Sequence, residues 1–329
     1  MSSAVVQRLV RYLSATETRS GEAIGNELGC SRSAVWKHVE TLRQLGIEVS
    51  AVAGKGYRLS EPLELLEKDS ILNGMSPVVC DQLTALYIET SLDSTNSAVQ
   101  RLPTDSQHAA VILAEHQSTG RGRRGRQWHS PFGKNLYLSL GWKFDKALSE
   151  LGCLPLVVAL AAAQALERAG LKGHRVKWPN DLLLDGQKLC GCLVEVQGDA
   201  QGPCHAVLGV GVNVQMPHSG AEAEIDQPWT DVYSQLPGCS RNTLATLLME
   251  EMISQLSLFA EHGFTPFRER WAQLDGLHGQ TIEMFVGSNV VSGTARGIDE
   301  RGALILDTGA ELLKMHSGEV TMHRPKGSV

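Results

Sequence analysis

Residues 120–131 read GRGRRGRQWHSP. The glycines at positions 120, 122 and 125 have the G-x-G-x-x-G spacing of dinucleotide-binding folds, in which the third glycine opens a hydrophobic helix. Here a polar, proline-containing segment follows instead, and four arginines do not suit a turn that binds phosphate through backbone N–H groups. A dinucleotide-binding fold is therefore excluded, and no P-loop pattern occurs in the sequence.

The same segment has the composition of an anion-binding loop. Glycines let the backbone approach a ligand closely, and arginines supply planar, permanently charged forks that match carboxylate and phosphate oxygens. We predict that residues 120–126 close over a phosphorylated ligand. A basic RNA-binding loop is the alternative that composition alone leaves open.

Two downstream segments carry further charge. Lys177-Trp178-Pro179-Asn180-Asp181 places a lysine, an amide and a carboxylate around a turn, and Lys188 stands at the mouth of the apolar run 189–196. A lone lysine at a strand end is usually solvated. Two of them beside an arginine loop instead predict a site for phosphoryl or nucleotidyl transfer, where negative charge must be stabilised.

Helical and alternating patterns along the rest of the chain predict an α+β fold. Because strands and helices do not alternate regularly, a mixed or antiparallel sheet is favoured over a doubly wound one. The candidate strands are 111–115, 135–142, 175–178, 189–196 and 206–214, and the candidate helices are 95–102, 149–169, 242–262 and 266–274. From Thr281, short alternating strands separated by Gly, Asp and Asn predict a small SH3-like β-barrel.

The first 62 residues have the pattern of a winged helix-turn-helix. Ser20 begins one of three helices and Ser31 is the N-cap candidate of another, and Gly29 and Gly46 are the corresponding stops. Two alternating runs then flank a glycine-rich tip, as in a hairpin. The predicted helices are 5–13, 20–28 and 31–44, and the predicted hairpin strands are 47–52 and 57–59.

This front domain is predicted to bind DNA. In such a domain the N-terminal end of the second helix of the turn enters the major groove. The candidate contacts lie within the helix-turn-helix Gly21 to Glu40 and on the wing, and are Ser31, Arg32, Ser33, Trp36, Lys37 and Lys55. The alternatives are a small helical domain with a solvated basic face and a protein-interaction domain. We assign residues 1–62 to the winged helix, 63–275 to a mixed α/β catalytic domain and 276–329 to the barrel.

Composition limits the function classes. A net charge of −6 over 329 residues argues against coating nucleic acid or an anionic membrane by charge alone, although residues 1–62 carry eight Lys/Arg against six acidic residues. Seven cysteines without a C-x-x-C pair, and no signal peptide, predict a reducing cytoplasm and no metal site built from a protein cluster. The apolar run Leu154 to Leu166 is too short to span a bilayer and predicts a core helix.

Five motifs together resemble biotin–protein ligases. They are ETSLDSTN (89–96), EHQSTGRGRRGRQW (115–128), KWPNDL (177–182), KLCGCLVEV (188–196) and GVGVN (209–213), in the order and roughly the spacing of the family. The winged helix in front and the barrel behind resemble the bifunctional members of this family, which also repress biotin-synthesis genes. No single motif is specific enough, but the joint match is.

The resemblance implies a two-step reaction. Biotin and MgATP give biotinyl-5′-adenylate and pyrophosphate, and the acyl group then passes to a lysine of biotin carboxyl carrier protein. It further implies binding to operator DNA of biotin-synthesis genes as an adenylate-bound homodimer, and no membrane association. Biotin, ATP and Mg²⁺ are the implied ligands.

Residue roles are carried over by motif. The implied biotin contacts are Ser94, Thr95, Asn96, Gln117, Gly120, Arg121, Gly122, Arg123, Lys188 and Gly191. The implied ATP and adenylate contacts are Arg123, Arg124, Lys177, Asn180, Asn213 and Trp229. The implied catalytic groups are Lys188, Arg123, Arg121, Lys177 and Asp181, with Asp181 a candidate general base or orienter of the incoming amine.

The resemblance also assigns residues 215–229 to a loop that orders over the adenylate. Small residues such as Gly191, Gly209 and Gly211 would let the ligand approach the sheet, or would simply belong to a tightly packed sheet. Three alternatives remain open from the sequence: a lipoate or octanoate ligase, a sensor that has lost catalysis, and a ligase whose winged helix no longer represses.

Overall fold

The computed structural model describes residues 3–199, 201–216, 225, 227–287 and 289–322. Its helices and strands fall into a front, a central and a rear group. The helices are α1 Ser3–Tyr12, α2 Gly21–Leu28, α3 Arg32–Gln44, α4 Lys68–Gly74, α5 Pro77–Cys80, α6 Thr95–Gln100, α7 Leu154–Arg168, α8 Arg241–His262 and α9 Arg268–Leu274. The strands are β1 Val49–Val52, β2 Gly56–Leu59, β3 Ala85–Glu89, β4 Ala110–Ala114, β5 Leu136–Phe144, β6 Arg175–Lys177, β7 Asp181–Leu184, β8 Gln187–Gly198, β9 Cys204–Val212, β10 Thr281–Val286, β11 Asn289–Ile298, β12 Leu304–Asp307, β13 Leu312–Met315 and β14 Glu319–Met322.

The predicted winged helix is confirmed. Ser20 and Ser31 cap α2 and α3, since their side chains accept hydrogen bonds from Ala23 N and Ala34 N. Gly29 adopts the left-handed conformation (φ 66°) that ends α2, as expected for a glycine C-cap. Strands β1 and β2 form the antiparallel wing. Leu9, Ile24, Val35, Val39 and Leu42 are fully buried and form the core of this group.

The central group is a seven-stranded mixed sheet in the order β3-β4-β5-β9-β8-β7-β6, in which only β3 and β4 run parallel. Helices α7 and α8 cover one face and build the main core with it. Helix α6 packs on the other face, against Ile112 and Val207. The predicted core helix at Leu154 to Leu166 is confirmed as α7. No helix in the described ranges combines the length and apolarity needed to cross a bilayer.

Two strands of this sheet were not predicted. β3 and β7 have five and four residues, too few to display a clear period against their polar flanks. In β7, the KWPND motif suggested only a turn, whereas Asp181 already pairs with Gly191 of β8. The mixed α+β class is nevertheless confirmed.

The rear group is a five-stranded antiparallel sheet in the order β13-β12-β11-β10-β14. Within the described residues, β13 and β14 are the sheet's two edges and do not pair, so the SH3-like barrel is open rather than closed. A register shift between Ala295 and Ile298 interrupts the pairing of β11 with β12. Trp178 anchors this sheet to the central group by donating its indole N–H to Gly302 O at 2.9 Å.

A buried ion pair joins the chain segment after the wing to the central sheet. Glu115, next to the end of β4, is 1% exposed, and its carboxylate lies 2.9 Å from Nη1 of Arg241, which is 4% exposed. The other carboxylate oxygen of Glu115 accepts from Leu66 N at 2.6 Å. Arg241 also donates to Asn135 O, at 3.1 and 2.9 Å. One charge pair thus binds the linker, β4, β5 and α8 together.

Glu64 fastens the same linker to the start of α8. Its carboxylate accepts from Ser240 Oγ and Arg241 N, both at 2.6 Å, and from Asn242 Nδ2 at 2.9 Å. Burial raises the pKa of the Glu64 carboxyl, but these hydrogen bonds more than offset it and leave the pKa below its ordinary value. The linker is therefore docked by buried polar contacts and not only by its leucines.

Substitution of Glu115 by Gln should destabilise the protein strongly. Gln keeps the acceptor for Leu66 N but removes the carboxylate that directly contacts the buried Arg241 guanidinium, and breaking such a buried pair costs about 3–5 kcal/mol. Urea denaturation of the variant measures this directly.

Glu27→Gln serves as the control, because Glu27 pairs with Arg8 on the surface, where such pairs contribute about 0–1 kcal/mol. Equal losses in the two variants would contradict the importance of the buried pair.

Candidate functional site

A cavity with a volume of about 620 Å³ lies on the α6 face of the central sheet. Strands β8 and β9, the Lys177–Asp181 turn, the arginine loop and the start of β14 enclose it. Of the predicted site residues the cavity is lined by Ser94, Thr95, Asn96, Gln117, Arg121, Gly122, Arg123, Arg124, Lys177, Asn180, Asp181, Lys188, Gly191, Asn213 and Trp229. Gly120 lies behind this wall, where a Cβ atom would meet Trp128 O at 2.6 Å.

One end of the cavity is polar but uncharged. Thr95 N donates to Gln117 Oε1 at 2.9 Å, and Gln117 Nε2 donates to Ser130 Oγ at 3.1 Å. Ser139 Oγ lies 2.7 Å from Thr95 Oγ1 and 2.6 Å from Asn96 Oδ1. Thr95, Asn96 and Ser139 are buried, so these side chains are held in one orientation.

The other end is cationic, and carboxylates pair with four of its six cationic side chains. Arg121 forms a two-point ion pair with Glu195. Arg124 and Arg126 both contact Glu319, at the start of β14 in the rear group. Three of the four loop arginines are therefore committed to protein carboxylates.

Arg123 differs from the other three. It donates to Asn180 Oδ1 at 3.1 Å and to Gly318 O at 3.4 Å, and it forms no ion pair with any described carboxylate. Burial, with Arg124 and Arg126 nearby, lowers the pKa of Arg123 despite the attraction of Asp181 and Glu319. An incoming anion would remove this electrostatic cost.

The two predicted lysines have different surroundings. Lys188 Nζ lies 2.8 Å from Asp181 Oδ2 and 5.5 Å from the centre of the Trp128 ring. Lys177 has no ion-pair partner in the part of the chain that the structure describes, and burial, against the attraction of Asp181, lowers its pKa. Arg123 and Lys177 are thus two desolvated cations without a carboxylate partner.

Trp128 occupies the space above two of the predicted glycines. A Cβ atom on Gly211 would lie 2.5 Å from Trp128 Cε2, and one on Gly191 would lie 2.9 Å from Trp128 Cζ3. At Gly209 the corresponding neighbour is Asn96 Oδ1, at 2.2 Å. In this structure these glycines admit protein side chains, which matches the tight-packing alternative.

The C-terminal end of the predicted 215–229 loop lies against β8. Lys188 N donates to Pro228 O and Thr230 N donates to Lys188 O. Asn213 Nδ2 donates to Lys188 O and Thr230 O, at 3.2 and 3.1 Å, so its amide hydrogens are used in holding this segment. Residues 217–224 and 226 lie outside the described residues. Trp229 lines the cavity beside this anchor.

Sequence reasoning missed Ser139, Glu195 and Glu319. A detectable signal existed for the first two, because each is a polar residue between apolar neighbours in a strand; the neighbours of Ser139 are buried and those of Glu195 are half-buried. Glu319 gave no such signal, since it belongs to a distant strand and reaches the loop only through the fold.

The predicted DNA-contact side chains lie on one surface of the front group. Arg32, Ser33, Trp36 and Lys37 are exposed on α3, and Trp36 has 55% of its surface accessible. Lys55 is exposed at the tip of the wing. Ser31 is also the N-cap of α3, which is a structural role independent of DNA.

Comparison with known proteins gives consistent matches along the chain. The sequence model of an HTH domain matches residues 5–58, that of the Biotin/lipoate A/B protein ligase family matches 89–213, and that of the Biotin protein ligase C terminal domain matches 277–322. The bifunctional ligase/repressor BirA of Escherichia coli K12 is 36% identical over 315 residues, which cover 96% of each chain.

Two further proteins extend this result. The BirA of Bacillus subtilis 168 is 32% identical, over 92% of this chain and 93% of its own. The solved biotin protein ligase of Aquifex aeolicus, in complex with biotin and ATP, superimposes with a TM-score of 0.61 at 26% identity, over 73% of this chain and 99% of that one. The chain therefore belongs to the biotin–protein ligase family, in the group whose members join the ligase to a DNA-binding repressor domain.

Proposed function

We propose that this chain activates biotin with ATP to biotinyl-5′-adenylate and then transfers biotin to a lysine of biotin carboxyl carrier protein. One observation carries the proposal: a single cavity joins an uncharged polar end to an end with two desolvated cations, Arg123 and Lys177, that form no ion pair with a described carboxylate. Such a cavity suits a ligand with an amide-like head and an anionic, phosphorylated tail. The A. aeolicus relative, solved with biotin and ATP, supports the choice of ligands.

The chemistry requires positioning and charge stabilisation more than a protein nucleophile. The biotin carboxylate attacks the α-phosphate of ATP, and pyrophosphate leaves. We assign Lys188 and Arg123 to the carboxylate and phosphate oxygens, where fixed cations lower the cost of developing charge. Cys192 also lines the cavity, but its hydrogen bond with Cys190 and its burial raise the pKa of the thiol, which makes it a poor nucleophile.

Magnesium would enter with the triphosphate. The side-chain oxygens of Asn180 and Asp181 line the cavity and are the hard donors that this ion prefers, with phosphate and water completing its shell. In the described residues no cluster of three or more His, Cys, Asp or Glu side chains could hold a metal by itself. When bound, the ion would neutralise phosphate charge.

For the second step we propose that Asp181 orients the incoming amine. A free lysine is neutral to only about one part in two thousand at pH 7, so its proton must be removed near the adenylate. Asp181 pairs with Lys188 at 2.8 Å in this structure, which places its carboxylate beside the proposed acyl group. We place the reaction in a reducing cytoplasm, a choice supported by seven free cysteines.

Incubation with biotin, MgATP and a carrier domain, followed by mass measurement of the carrier, tests the ligase. We expect the mass to rise by one biotinyl group. Lys188→Ala should abolish pyrophosphate release with the fold intact, because it removes the charge assigned to the mixed anhydride. Lys314→Ala, which removes an exposed ammonium group that pairs with Asp299 in the rear sheet, is the control.

The same experiment separates the alternatives. Modification by lipoate or octanoate but not by biotin would assign the chain to the related acyl ligases. A folded protein that binds biotin and ATP but releases no pyrophosphate would be a sensor without catalysis.

Arg123→Gly should release the adenylate early. Each charge-assisted hydrogen bond contributes about 1.5–3 kcal/mol, so the dissociation rate of biotinyl-5′-adenylate should rise by about ten-fold or more. A chase of radiolabelled adenylate with unlabelled ligand measures it, and Arg301→Gly, at an exposed turn, is the control. A variant that retains adenylate as long as the parent would contradict the clamp.

We further propose that the adenylate-bound chain forms a homodimer that binds the operator of biotin-synthesis genes. Two copies related by a two-fold axis would present two α3 helices to a two-fold site. The helix-turn-helix and the exposed cationic residues of α3 support DNA binding. A ligase with a silent winged helix is the competing assignment.

Arg32→Ala and Lys37→Ala should each weaken operator binding. The logarithm of the affinity falls as the logarithm of the salt concentration rises. If either side chain binds a DNA phosphate, its removal should make this negative slope shallower by about one. Gel-shift titrations with biotin and ATP, at several salt concentrations, measure this. Arg8→Ala, whose side chain contacts Glu27, should bind as the parent does. Absence of any shift with the parent protein would favour the silent winged helix.

A further inference from the structure

Glu195 lies on β8 at the junction of the arginine loop and the polar end of the cavity. Its side chain is 26% exposed and accepts two parallel hydrogen bonds from Arg121, at 3.0 and 2.9 Å. This two-point geometry fixes the direction of the guanidinium as well as its distance. Arg121 follows Gly120 at the start of the loop, so the pair attaches the loop's first turn to the sheet.

The same carboxylate also fixes the orientation of Asn96. Glu195 Oε2 accepts from Asn96 Nδ2 at 2.7 Å, while Asn96 Oδ1 lies 2.6 Å from Ser139 Oγ. An amide turned over by 180° would place its oxygen against the carboxylate. Leu193 O also accepts from Asn96 Nδ2, at 3.3 Å. Glu195 and Leu193 O together therefore fix which atom of Asn96 faces its neighbours in the cavity wall.

From Asn96 the hydrogen bonds continue around the cavity and return to the loop. The contacts pass through Ser139, Thr95, Gln117 and Ser130 to Trp128 O. Trp128 N donates to Gly120 O at 2.8 Å, next to Arg121. Glu195 is the anionic residue of this closed set of hydrogen bonds, and it joins Asn96 at one end to Arg121 at the other.

We propose that Glu195 is a positioning residue for biotin. It neutralises Arg121, holds the start of the 120–126 loop on β8, and through Asn96 aligns the polar wall that receives the uncharged head of the ligand. Arg121 then has a structural role in holding the loop on β8, and Arg123 is the loop cation that contacts the anionic part of the ligand. This inference rests on the proposed function.

The variant Glu195→Gln tests the proposal. Gln has nearly the same shape but only one acceptor oxygen, so it cannot satisfy both Arg121 and Asn96. Because the pair is partly exposed, global stability should change little. We expect the KM for biotin to rise by about ten-fold while kcat at saturating biotin stays within about two-fold, since bound ligand restores the loop.

Trypsin provides a readout that needs no ligand. Arg124 and Arg126 are exposed in the docked loop, but cleavage also requires the backbone to bend into the protease's active site. Without its anchor at Arg121 the loop should do so more readily, so the empty Glu195→Gln protein should be cut in the loop several times faster than the parent. Asp307→Asn is the matched control, because Asp307 forms a similarly exposed ion pair with Arg296 in the rear sheet. That variant should match the parent in both assays.

A double-mutant cycle with Arg121→Gln decides whether Glu195 acts through Arg121. If it does, the double variant should be no worse than Arg121→Gln alone, within about two-fold. Fully additive losses, or a Glu195→Gln protein with parental KM and parental cleavage, would overturn the proposal. A parent chain that shows the docked loop but does not modify the carrier would instead overturn the proposed function.

Discussion

A half-buried cavity can hold several cations only if nearby carboxylates neutralise much of their charge. Here Glu195 pairs with Arg121, the single carboxylate of Glu319 with both Arg124 and Arg126, and Asp181 with Lys188. Three carboxylates thus offset half of the six positive charges, and among the described residues Arg123 and Lys177 are the two of these cations that no carboxylate contacts. The compensation makes the loop a defined structure rather than a self-repelling basic segment, and it locates the surplus where a phosphorylated ligand would lie.

The compensating carboxylates explain why three parts of the chain form one site. Asp181 and Glu195 come from neighbouring strands of the central sheet, whereas Glu319 comes from the rear sheet, which Trp178 also anchors through Gly302 O. The rear group thus supplies charge to a cavity whose walls are mostly built elsewhere. Its loss would leave Arg124 and Arg126 unpaired beside the anion site.

Sequence patterns were sufficient where the signal was local. Hydrophobic periodicity and the residues that begin and end helices predicted the helices of the front group, the core helix at Leu154 to Leu166 and the long apolar strands. The family's motifs predicted the residues that line the cavity. The short strands β3 and β7 and the open edge between β13 and β14 were not predicted. They are determined by pairing with other strands and not by a hydrophobic periodicity in their own sequence. Glu319 escaped for the same reason: its relation to Arg126 exists only in three dimensions. Domain limits at residues 62 and 275 remain a prediction, since Leu65 packs with the front core and Leu66 with the central one.

The docked linker has a consequence for DNA recognition. Residues 61–67 are not a flexible tether, because Glu61 contacts Lys134, Glu64 caps α8 and Leu66 is bound by Glu115. The winged helix is therefore held at a fixed angle to the central group. In a dimer joined through the central groups, the two winged helices would therefore bind half-sites at one fixed separation. The protein could not adjust to an insertion of even a few base pairs between the half-sites, because the linker does not extend.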